Sequence, residues 1–377
     1  MPRFPLRVSM LSLAIALSAS PALAQDQADA ESGSDNTIIV TAQKREQSIQ
    51  DVPLTVSAIN GEQMDKIGID EFDELSAYIP GLNIQEQSAN NPGFVIRGIT
   101  SDSGSAQIAP RVTIYLNGID VSRSRGSYFD LFDIDRVEVV KGPQATLFGT
   151  AATIGAISVI TAKPEPGFSA DLRGSYGNFN LYEGRAMINV GNDRIAGRIA
   201  APYKKRDGYV RNIAGEPGTT SARTTANNQA DLNGIDQFAI RGSLRIWPTA
   251  ESTMDFVFNY EQQRNPGTAF KSGSIAPTGG TTSPFTFAEL GGAPADLSRA
   301  ILGLPKLGLN REVYDASVTF QTPMGGGWSL TSITGYRKFD SLETFDADGT
   351  ALFFLEFAED AQGEQMSHET RFAYDSD

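Results

Sequence analysis

The chain has 377 residues with no cysteine and a single histidine, which excludes a disulfide framework, thiolate metal sites and any multi-histidine metal cluster. Its 45 acidic residues outweigh 31 basic ones, for a net charge of -14, and this argues against nucleic acid as a partner because phosphate contacts need clustered Lys and Arg. Beyond the N-terminal run no window is apolar enough for a transmembrane helix, so residence in a membrane would require strands.

Arg3 and Arg7 precede the apolar run 8–17, and Ala22-Leu23-Ala24 supplies small residues at a cleavage site. This predicts a secretory signal peptide over 1–24 and a mature chain that starts near Gln25. Residues 25–33 are small and acidic with nothing to bury, which predicts disorder through the start of 25–50. Within that stretch Thr37, Ile38, Ile39, Val40, Thr41 and Ala42 form a β-branched run without an evident neighbour to pair with. Such a run suits strand addition onto a partner's sheet edge; the plainer reading is the first strand of the next domain.

Residues 51–165 read as a compact mixed α/β unit of about 110 residues, enough for a modest core. A strand over 52–59 leads through Asn60-Gly61 into a helix over 62–67 that stops at Gly68. A second helix is expected from Asp70 as N-cap to Pro80-Gly81. Strands follow at 82–85, 94–99 and 112–116, with Asn117-Gly118 as a tight turn before Ile119. A helical turn at 128–132 precedes an alternating strand around Val137 and Val139, and the last strand is 155–161.

The block 133–164, DIDRVEVVKGPQATLFGTAATIGAISVITAKP, together with QDVPLTVSAI, IPGL, VIRGI and IYLNGI, closely resembles the plug domain of TonB-dependent outer-membrane receptors. The family's usual glycine pair and asparagine in the last strand are replaced here by Ile154-Gly155-Ala156 and Ser158. The resemblance implies that residues 37–42 are a TonB box, pulled by a TonB-type energy transducer. It also implies that Arg97 and Lys141 belong to a charged latch facing carboxylates on barrel strands.

From Pro164 the texture becomes long alternating segments. Ile195, Gly197, Ile199, Ala201 and Tyr203 lie opposite Arg194 and Arg198, and Phe238, Ile240, Leu244 and Ile246 lie opposite Arg241, Ser243 and Arg245. Met254, Phe256, Phe258 and Tyr260, then Tyr314, Ala316, Val318 and Phe320, repeat the scheme. Short turns at 191–193, 248–252 and 323–327 alternate with long loops expected at 204–236, 262–311 and 338–363, which favours an outer-membrane barrel over a soluble sandwich. Tyr203, Trp247, Phe339 and Tyr374 are expected in interfacial girdles.

The fold class expected is therefore an α+β plug followed, over 168–377, by an antiparallel transmembrane β-barrel with about 8 of the roughly 22 strands of a plugged transporter. Eight strands enclose too little room for a plug, so a partial or interrupted chain is expected. No nucleophile–base pairing stands out, so neither an enzyme nor a cofactor is expected. His368 shares a strand face with Met366 and Phe372 and reads as a wall residue. The function implied by the resemblance is TonB-driven uptake of a scarce nutrient, a ferric chelate first, across the outer membrane, whose lipid and the transducer would be its partners. The alternatives are a passive porin or structural outer-membrane protein, and a secreted enzyme or binding module.

Overall fold

The computed structural model describes residues 38–45, 47–86, 88, 90–100, 110–149, 152–212, 229–268, 306–347 and 355–374. The expected leader, the segment 25–36 and Thr37 lie outside them.

Two-residue strands β1 (Ile39–Val40) and β2 (Gln47–Ser48) pair antiparallel ahead of β3 (Val56–Asn60). The helix α1 (Gly61–Ile67) is capped as its sequence requires. The Asn60 side chain accepts the Gln63 N–H at 2.7 Å, and Gly68 closes the helix in the left-handed region at φ 76°.

The second expected helix is only a 3-10 turn, Glu74–Ala77, and Asp70 does not cap it. Instead the Glu74 carboxylate reaches back to accept the N–H groups of Asp70 at 2.8 Å and Glu71 at 3.1 Å, which folds the acidic run around itself.

Strands β4 (Leu82–Glu86), β5 (Pro92–Ile96) and β6 (Ile99–Thr100) make one small sheet. β7 (Val112–Leu116), β8 (Ile119–Asp120), β9 (Ile134–Lys141) and β10 (Gly155–Thr161) join β3 in a second, of order β3-β9-β10-β7-β8. The residues Val137, Val139, Ile114, Ile157 and Val159 form a buried core between the elements, closed by Phe72 packed edge-on to Phe94 and Phe129.

The helical turn expected at 128–132 is absent; α2 (Ser124–Ser127) precedes it, and Tyr128 is extended. Tyr128, Phe129, Leu131 and Phe132 are all buried, and an extended chain can bury neighbours on both sides where a helical turn cannot. The short helix α3 (Ala145–Phe148) follows β9.

The alternating region builds one antiparallel sheet of β11 (Gly167–Gly177), β12 (Leu181–Gly191), β13 (Ile195–Arg206), β16 (Ile235–Ile246), β17 (Thr253–Pro266), β18 (Gly308–Gly325), β19 (Trp328–Asp346) and β20 (Glu356–Tyr374), with β14 (Val210–Arg211) and β15 (Asp231–Leu232) pairing in a loop. β11 and β20 are its edges among the described residues.

The faces are those the period requires. Ile199, Leu244 and Phe258 are exposed on the outside, whereas Ala200, Ala239 and Arg241 are buried against the plug, where Phe132 packs on Ala200 and Ala239. Phe339 is an exception to the girdle expectation, because it faces inward and is buried. The long loop expected at 338–363 is largely strand, since β19 runs to Asp346 and β20 starts at Glu356.

Candidate functional site

The segment that the sequence singles out for a partner is docked rather than free. Val40 and Ala42 are buried with Val52 and Val140, and Thr41 is held by Glu138 of β9. Both Glu138 carboxylate oxygens accept the Thr41 N–H at 2.9 Å, and one also accepts its hydroxyl at 3.1 Å. Glu138 is fully buried and takes a further bond from Arg136 Nε at 2.8 Å, so its charge is matched. The expectation of a strand without neighbours fails because Gln47–Ser48, in the polar stretch that follows it, supplies one.

Three residues on, Lys44 is wedged between plug and wall. Its ammonium lies 3.6 Å from Glu369 of β20, 4.6 Å above the Tyr115 ring and 5.0 Å from Phe148, while Arg371 donates to its carbonyl at 3.0 Å. Burial lowers the Lys44 pKa, and the Glu369 carboxylate opposes that shift.

Arg97 and Lys141 are brought near each other at the plug. Lys141 Nζ donates to Ser57 Oγ at 2.8 Å; burial first, and the Arg97 charge second, lower its pKa. Among the described residues neither makes an ion pair.

The described plug–wall contacts are made by other groups, whose pairing the sequence reading did not foresee. Arg125 of α2, 2% exposed, pairs with Glu359 of β20 at 2.6 Å and donates to the Asn90 carbonyl at 3.1 Å. From the wall, Arg198 grips Asp133, Lys204 meets Glu71 at 2.6 Å, and Arg185 meets Asp70. Arg241 donates to Phe132 O at 2.7 Å, Arg311 to Tyr128 O at 2.5 Å, and Arg337 to Gly126 O. The inward placement of Arg198 and Arg241 was legible from the strand period; their partners in the plug, the Asp133 carboxylate and the Phe132 carbonyl, carry no sequence signal.

Comparison with known proteins places this arrangement. A family model for the TonB-dependent receptor plug domain matches residues 48–156, the stretch from β2 to β10. Residues 48–156 are a TonB-dependent receptor plug domain. It is similar to the ferric aerobactin receptor of Klebsiella pneumoniae, 28% identical over 59% of this chain and 29% of that protein. It is also similar to the pesticin receptor of Yersinia pestis, 30% identical over 52% of this chain and 29% of the relative.

The ferric yersiniabactin uptake receptor of Yersinia pestis shares the fold with a TM-score of 0.68 at 20% identity, covering 86% of this chain and 46% of that one. The siderophore receptor of Acinetobacter baumannii gives 0.64 at 15% identity, covering 88% and 44%. The chain thus spans less than a third of the curated relatives' length. The family is one of outer-membrane receptors, not of enzymes, and the plug followed by antiparallel strands is its architecture.

Proposed function

We propose that this receptor chain serves TonB-driven uptake of a ferric chelate across the outer membrane, with the transducer gripping Thr37, Ile38, Ile39, Val40, Thr41 and Ala42. The observation that carries the reading is the position of that segment. It sits at the short-turn end of the sheet, beside the first residues of β19 and the last of β20, while the long connections 207–234 and 267–307 leave the other end. A pull from the periplasm therefore acts on β1, and through Thr41 on Glu138 of the plug's own sheet. Ligand is captured at the opposite end by the long loops and the plug. Support for a ferric chelate comes from the relatives, which are receptors for aerobactin and yersiniabactin iron complexes.

Cells that depend on this gene for iron should accumulate radiolabelled ferric chelate only while the proton gradient stands, and deletion of residues 37–42 should abolish uptake while leaving surface binding intact. Uptake that survives both treatments would instead identify a passive pore.

A further inference from the structure

At the end of the sheet where the long connections leave, the plug meets β19 through a buried polar cluster. Glu343 of β19 is 2% exposed, and its carboxylate faces the Ser88 and Asn90 side chains of the plug. Neither of its oxygens reaches hydrogen-bonding geometry there, and the Asn90 Nδ2 is equally without a partner. Ser341, two residues earlier on the same face of β19, donates from Oγ to Asn90 Oδ1 at 2.8 Å. Asn90 and Ser341 are both fully buried, so no solvent makes up what Glu343 lacks.

The charge is unmatched as well. Arg125, the guanidinium whose field reaches Glu343, is committed to Glu359 at 2.6 Å and to the Asn90 carbonyl and Asn91 Oδ1, both at 3.1 Å. Two carboxylates thus share one guanidinium where little water enters, and a buried carboxylate left in that condition is costly.

We infer that Glu343, Asn90 and Ser88 hold a hard divalent cation of the calcium class, which ties plug to wall at this end. The donors on offer are carboxylate, amide and hydroxyl oxygens, the set that such cations take. Softer ligands are absent from the cluster, since the chain has no cysteine and its single histidine lies on the outer face. Magnesium gives up its water reluctantly and demands a strict octahedron, so a buried, mixed set favours calcium.

The two ends of the Asn90 amide have the same shape and can exchange. Turning Oδ1 toward the cation lets Nδ2 donate to Ser341 Oγ, so the ion and the exchange together satisfy all three orphaned atoms. Both Glu343 oxygens, Asn90 Oδ1 and Ser88 Oγ make part of the shell, and lumen water completes it. The inference goes beyond the transport reading and does not depend on it.

The full chain, purified in detergent and stripped with a chelator, should on dialysis against radioactive calcium bind one ion more than Glu343→Gln binds. Saturating calcium should raise the melting temperature of the wild type by about 4 °C or more and leave that of Glu343→Gln unmoved. Asn90→Asp adds a second carboxylate to the shell and should tighten calcium binding at least about tenfold. Without a cation the same change only buries another charge.

Equal calcium binding by the wild type and Glu343→Gln, or a wild-type melting temperature indifferent to calcium, would overturn the site. An Asn90→Asp variant that melts early whether or not calcium is present would do the same. Should Glu343→Gln fail to fold, the calcium dependence of the wild type and of Asn90→Asp decides.

Discussion

Glu138 shows how a single buried carboxylate can govern a segment almost a hundred residues away in sequence. It spends its acceptor capacity on Thr41 and Arg136 and has no access to water. Hydrogen bonds to a charged group contribute about 1.5–3 kcal/mol each, so Glu138→Ala should shift the docking equilibrium by about 2 kcal/mol, a roughly 30-fold rise in the undocked population. Trypsin reads this directly, through faster cleavage after Lys44 and Arg45 with the rest of the digest unchanged; an unaltered rate would mean Glu138 does not hold the segment.

Glu74 offers a pH test. Burial pushes its carboxyl from 4.5 up to about 7, against the pull of the Asp70 and Glu71 N–H groups and with the Asp70 charge adding to the rise. The folded plug therefore binds a proton that the unfolded chain releases between pH 4.5 and 7, and this contribution to stability is present below 4.5 and lost as pH rises through 7. Glu74→Gln should flatten the dependence of the melting temperature between pH 5 and 8, and an unchanged slope would place its origin elsewhere.

At the scale of elements, the wall makes room for the plug at a glycine. A Cβ on Gly335 of β19 would lie 2.4 Å from Ile119 Cδ1 and 2.9 Å from its Cγ2, so the whole branched side chain, not just its tip, occupies the space a substituent needs. Gly335→Val should cost about 1–3 kcal/mol by overpacking, and Ile119→Ala in the same chain should recover most of it; additive losses in melting temperature would show that the two do not touch.

The strands around this contact were legible because period 2 persists over ten residues or more, which also placed Arg198, Arg241 and Ser317 on the inner face. The same rule could not find β2, since a two-residue bridge has no period, and β1 was marked only by the β-branched run 37–42. It missed the extended 128–132 because four apolar residues in five fit either geometry. It also cut β19 and β20 short. Their outer residues beyond Tyr336 and Met366 turn polar, as Lys338, Asp340, Gln362 and Glu364, and polar residues read as loop when only the lipid-facing stretch of a strand is apolar. Arg97 and Lys141 were singled out by resemblance, whereas Arg125, which joins plug to wall in the structure, has no distinguishing context in sequence.

For the whole molecule, the outer surface defines its setting. Tyr176 and Tyr182 pack at 5.1 Å, Tyr260 and Tyr314 at 4.9 Å, and with Tyr203 and Tyr336 they mark one level across the strands; Trp328 and Tyr374, 5.1 Å apart, mark the other. Tyr336 and Trp328 are eight residues apart on β19, about 26 Å along the strand and roughly 20 Å of height once a tilt of about 40° is allowed, close to the apolar band of about 25 Å that such barrels present to lipid.

Between the two levels lie Ile199, Leu244, Phe256 and Phe258, and the single histidine, His368, bonded to Thr334 and Thr370 on the same outer face. Adjacent residues near mid-band should then respond in opposite ways. Phe258→Arg puts a charge into hydrocarbon and should cost about 2–4 kcal/mol, lowering the amount of folded receptor recovered from the outer membrane. Val257→Arg, one residue earlier on the same strand, points into the lumen and should leave that amount near the wild-type level. Equal losses for both would mean that the outer face of this sheet does not meet lipid, and the reverse order would mean that the strand register is inverted.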